Sequence, residues 1–201
     1  MITKELFEKI KETYGDVASW AVWEDEGKTP KSNMGNMDIF DLRMNPNLLN
    51  ILQNNVVMVG LDFSRQVNFT KPFQNFHDPS PSANDFKIRY AFTNSVYYGA
   101  YMTDVIKNTV IISSQNMRAY LNANPAIIKR NISDFRKELD AIEAHKPEIL
   151  AFGVDAFEIL NQYLPKASYS KLIKLTHYSH YISKEKYKEE VMKQISMAIG
   201  L

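Results

Sequence analysis

The sequence predicts an α/β fold, a single domain over residues 1–201 in which a short four-stranded parallel sheet lies in a three-layer α/β/α arrangement. Three observations predict it. Compact apolar runs at 56–60 and 148–153 each end in glycine, as strands buried on both faces do. Segments with helical spacing alternate with these runs, which implies parallel strands joined by crossovers. The chain has 201 residues, 45% hydrophobic and 23% charged, enough for one sizeable core.

The elements follow in order. Ile2, Leu6, Ile10 and Tyr14 recur every four residues and predict an amphipathic helix over 2–14, stopped by Gly15 and Asp16. Residues 24–38 are polar with Gly and Pro and predict an exposed loop. A short helix over 47–54 leads into the first strand, Val56 to Gly60. Residues 63–95 form a long polar and aromatic stretch with Pro72, Pro79 and Pro81, helical in part around 83–95. Loops of this length are uncommon unless they serve a function. Residues 97–103 predict a second strand. Ile132, Phe135, Leu139 and Ile142 share one face of a helix over 132–145, which Pro147 ends. A third strand over 148–153 precedes a helix over 155–164, and a fourth strand covers 172–176. The closing helix, 183–198, takes Ser183 as its N-cap and buries Tyr187, Val191 and Ile195.

Composition excludes several classes of function. Without cysteine there is no disulfide, thiolate metal site or cysteine nucleophile. The first ten residues are too charged for a secretory signal, and no run approaches the length of a membrane span, so a cytoplasmic protein is expected. A net charge of +1 gives no compositional support for nucleic-acid binding, although a local basic patch is compatible with it. Phosphate-loop, dinucleotide and nucleophile-elbow patterns are absent, and no cofactor is expected.

In parallel sheets, sites lie beyond the carboxyl ends of the strands. That rule selects four segments: 60–65, 103–107, 153–155 and 177–181. Asp62 stands two residues past Gly60, where a carboxylate can act as a base, stabilise a cation or simply cap a turn. His177 follows the fourth strand and can donate to a developing anion; a surface or satisfied core histidine is the alternative. His177 and His180 have metal-ligand spacing, but no third ligand is evident and no metal is expected. Thr103 or Asp104 can read a polar ligand edge or cap the next segment. The 73–82 loop offers Phe73 and Phe76 for stacking, or uses them to tack itself to the domain.

Together these segments resemble the uracil-DNA glycosylase superfamily. The resemblance spans residues 50–185 and lies in motif order: Val56 to Asp62, a long loop, Gly99 to Asp104, Ile149 to Ala156, and Leu172 to Ser179. It implies the fold already read from the residues, and an enzyme that flips a modified base from DNA and cleaves its glycosidic bond. By this resemblance Asp62 positions water and stabilises the sugar cation, and His177 supports the departing base. Tyr181 enters the vacated stack, Thr103 or Asp104 reads the base edge, and Phe73 or Phe76 stacks on it. Ser64, Arg65, Ser179, Tyr181 and Lys184 are the expected DNA contacts. Phe63 and Tyr178 stand where the family motifs carry proline, and Ser64 where some members have a bulky gate. A carboxylate at 104 favours a base that offers donors. The expected partner is DNA, bound by a monomer. Lys184, Lys186 and Lys188, with Arg65 and Lys71 across the cleft, should form one basic rim. Rival readings are a non-catalytic nucleic-acid binder of the same fold and a protein that binds or cleaves free nucleosides.

Overall fold

The computed structural model describes residues 2–62, 70–107 and 114–200, with 114 and 115 in backbone only. The chain forms α1 (Lys4–Tyr14), β1 (Ala18–Trp20), α2 (Leu48–Ile51), β2 (Gln53–Gly60), α3 (Phe86–Phe92) and β3 (Ala100–Asp104). There follow α4 (Ser114–Ala123), α5 (Pro125–Ala141), β4 (Glu148–Phe152), α6 (Val154–Tyr163), β5 (Lys171–Leu175) and α7 (Lys184–Ile199). These seven helices and five strands, with two 3₁₀ turns, account for the regular structure among the described residues. The fold is α/β, as expected.

The sheet differs from the expectation. It has five strands in the order β1-β3-β2-β4-β5 and is mixed, because β1 pairs antiparallel with β3 while the remaining pairs are parallel. A three-residue strand inside an apolar run carries no alternation to mark it, and edge strands are often this short. The 24–38 segment is also less exposed than its composition suggests, since Met34 and Met37 are buried. The helix read as 132–145 begins at Pro125, whose fixed φ suits a first helical position. It ends at Ala141, before Pro147, through turns with positive φ at Glu143 and Lys146.

Strand parity sorts the core onto the two faces of the sheet. Val57, Val59, Tyr101, Ile149 and Ala151 pack with α1, α4, α5 and α6. Val56, Met58, Met102, Leu150, Ile173 and Leu175 pack with α3 and α7. Because β2, β3, β4 and β5 are parallel, Asp62, Asp104, Gly153 and His177 all follow the same edge of the sheet. No helix among the described residues is long and apolar enough to cross a membrane.

Candidate functional site

Two carboxyls occupy the β2 and β3 ends. Asp104 pairs in register with Gly60, on the α3 face of the sheet. It is only 3% exposed, and its Oδ2 accepts a hydrogen bond of 2.9 Å from Asn75 Nδ2. Gly60 makes room for it: a Cβ there would stand 2.2 Å from Asp104 Oδ1. Burial pushes the Asp104 carboxyl up to about 7; Asp62 and Glu138 add to the rise, against Asn75 and Lys107. Asp62 is half-buried, and burial raises it to about 6. Asp104 therefore keeps its proton close to neutrality, and Asp62 loses its own somewhat below it.

At the β5 end, the Ser179 backbone N–H donates to His177 Nδ1 at 3.1 Å, with Ser179 Oγ 2.8 Å from the same nitrogen. A backbone N–H can only donate, so Nδ1 is an acceptor and the neutral ring carries its proton on Nε2. Burial lowers His177 to about 4, partly opposed by Asp155, so the ring is neutral at physiological pH. Gly153, at φ 89°, lets the ring approach: a Cβ there would meet His177 Cδ2 at 3.3 Å. The adjoining cleft of about 490 Å³ is lined by Gly153, Thr176, His177, Ser179, His180 and Glu190, among others; Asp62 and Asp104 do not line it.

Tyr178 packs directly beside the histidine. Its ring stacks on His177 at 4.3 Å between centroids and meets Phe76 and Phe152 edge-on. Burial holds its hydroxyl well above the ordinary value, and Asp85, Asp104, Tyr187 and Asp62 add to the effect. Phe76 is buried, with its ring beside Gly60.

Other expected residues lie elsewhere. Phe73 is fully buried against Phe7 and Phe40, in the core on the α1 face, and is unavailable for stacking on a ligand. Thr103 points through the opposite face from Asp104 and donates to Glu138 Oε1 at 2.8 Å, so it cannot read a ligand edge. Ser179 spends its polar atoms on His177, and Tyr181 is fully exposed. Ser64 and Arg65, like Phe63, lie outside the described residues. Two lysines of the expected basic rim are already paired with carboxylates. Lys184 Nζ sits 2.6 Å from Glu26 and 4.4 Å above the Tyr90 ring, where Lys188 also lies. Lys71 pairs with Asp38 and lines a separate groove of mixed charge with Lys4, Lys11 and Arg43. No cluster able to hold a metal occurs among the described residues.

Sequence reasoning missed Asn75 and Tyr178 as members of the site. A small amide between two phenylalanines gives no periodic signal, and Tyr178 registered only as a replaced motif residue. Both Asn75 Nδ2 hydrogens are engaged, by Asp104 Oδ2 and the Val17 carbonyl, which fixes the orientation of the amide. No family model, curated protein or solved structure matches this chain.

Proposed function

We propose that this edge of the sheet cleaves the N-glycosidic bond of a modified base flipped out of DNA, in the manner of the uracil-DNA glycosylases. The observation that carries the reading is the acceptor role of His177 Nδ1, which leaves the ring proton on Nε2, at the same end of the sheet as the half-buried Asp62. Glycosidic cleavage builds positive charge on the sugar and negative charge on the leaving base. An ionised Asp62 stabilises the first and orients the attacking water; the His177 Nε2–H donates to the second. A neutral ring is the better donor here, because it stabilises the base anion without having to give up a proton. Asp104 offers the base edge an acceptor when ionised and a donor as well when protonated. In the same reading the chain acts as a monomer in the cytoplasm, with the finer fold that of the glycosylase superfamily.

One observation favours the nucleoside reading as the alternative. Lys184 and Lys71 are already paired with carboxylates, which leaves less free positive charge for a duplex. The test is a cleavage assay on oligonucleotides holding uracil, hypoxanthine, xanthine or alkylated bases, run beside the matching free nucleosides. Cleavage of at least one oligonucleotide is expected, with a loss on the order of 100-fold or more in Asp62→Asn. Cleavage of nucleosides alone would establish the alternative. DNA binding without cleavage would make the protein a non-catalytic member of the fold.

A further inference from the structure

We infer that Lys87 is a positioning residue that clamps the His177 turn and thereby fixes which ring nitrogen carries the proton. The inference rests on the role of His177 proposed above for its consequence, but not for its test. Lys87 lies in α3, 5% exposed, between the apolar residues that face the sheet. Its Nζ donates to the His180 carbonyl at 2.7 Å, across 93 residues of sequence. The His180 N–H in turn donates to the His177 carbonyl, and the Ile182 N–H to that of His180, closing a tight turn. Within this turn the Ser179 N–H reaches His177 Nδ1. The ammonium therefore holds the carbonyl at the far side of the loop that orients the ring.

A buried ammonium is a costly way to hold a carbonyl. Burial lowers the Lys87 pKa, and Lys31 adds to the effect. An apolar side chain of similar length would serve the core as well or better. What such a replacement cannot do is tether the turn.

The readout is the tautomer of His177, followed by long-range proton–nitrogen NMR on the full chain labelled with ¹⁵N-histidine. Near neutral pH the wild type is expected to show a protonated Nε2 and an unprotonated Nδ1. In Lys87→Met, with the thermal midpoint retained, the two nitrogen shifts should move toward the averaged values of a free imidazole. Lys87→Arg, which keeps a donor, should restore the wild-type pattern. Among the described residues the titratable groups facing His177 are Tyr178 stacked on its ring, Asp155 from α6, and Lys174, His180 and Glu190 around the cleft, and none of them changes in these variants. An unaltered His177 pattern in folded Lys87→Met overturns the inference. Should that variant not fold, the wild type decides: a scalar coupling between Lys87 Nζ and the His180 carbonyl carbon supports the clamp, and its absence removes it. Loss of the tautomer in a protein that cleaves nothing would uphold the clamp while the glycosylase reading failed.

Discussion

Asp104 ties the chemistry of the site to the stability of the fold. Its carboxyl is held at about 7, well above the ordinary value of 3.8. Between those values the folded chain keeps a proton that the unfolded chain has lost. Its stabilising contribution is complete below the ordinary value and disappears as pH rises through about 7. Asp62 acts in the same sense up to about 6. His177 acts in the opposite sense: its folded value of about 4 lies below 6.5, so the fold is penalised as pH falls across that window. Asp104→Asn keeps an acceptor for Asn75 and removes the titration. Urea unfolding should therefore show the variant gaining on the wild type from pH 4.5 to 7.5, by a few kcal/mol at about 1.4 kcal/mol per pKa unit. A difference independent of pH would mean that Asp104 ionises normally. On the activity side, Asp62 must be ionised to work, so the rate should fall below a pH of about 6, whereas a neutral His177 imposes no limb until about 4. The positions of Asp62 and His177 at strand ends were legible in the sequence, the first from a glycine-ended apolar run and the second from the short run over 172–176 that it follows directly. The choice between Thr103 and Asp104 was not. Adjacent residues on a strand face opposite ways, and only the register decides which one meets the site.

The 73–77 loop shows why an element is harder to read than a residue. Phe73 and Phe76 both adopt positive φ, 67° and 64°, a conformation that side chains with a Cβ rarely take. The loop is held there by its surroundings. Ser19 Oγ donates to the Phe73 carbonyl, Trp23 Nε1 to that of Phe76, and the His77 ring lies against the Val22 and Asn75 carbonyls. These partners lie more than 50 residues away along the chain in three of the four cases. Two phenylalanines three positions apart look alike in sequence, yet one enters the α1 face and the other stands beside Gly60. Phe73→Ala should cost about 3–5 kcal/mol, read as a lowered denaturation midpoint, and leave ligand affinity unchanged in the fraction that remains folded. A stable variant with lost affinity would place Phe73 at the ligand after all. β1 and α4 escaped detection for related reasons. The first is too short to show a period, and the second is polar along most of its length, its apolar face coming from Met117 and Leu121.

At the scale of the whole molecule, charge is nearly balanced, and two of the lysines expected to meet DNA already face carboxylates. Lys184 with Glu26, Lys71 with Asp38, and Arg118 with Asp155 and Glu158 each tie a cation to the protein's own carboxylates. Any DNA affinity should therefore depend weakly on salt. The slope of log affinity against log salt should stay below about 3 in magnitude, where a protein contacting 6–10 phosphates shows roughly 5–9. Lys184→Gln should change it little. A slope of about 6, or its collapse in that variant, would mean that the lysines leave their carboxylates to meet phosphate. The α/β class and the four strands that run parallel were readable, because each follows an apolar run next to a helix. The antiparallel edge was not, because pairing β1 with β3 joins segments about 80 residues apart, and local pattern does not reach that far.

The clamp from α3 to the His180 carbonyl bears on the timing of assembly. The Asn75 amide needs the Val17 carbonyl, Asp104 needs Asn75, and the His177 turn needs both α3 and the α7 helix that packs on it. A chain emerging from the ribosome therefore exposes His177 before α7 is there to pack beside its turn. The surroundings of Asp104 come from Asn75, Gly60, Lys107 and Glu138, all earlier in the chain than His177, so the two halves of the site are completed at different stages of its growth.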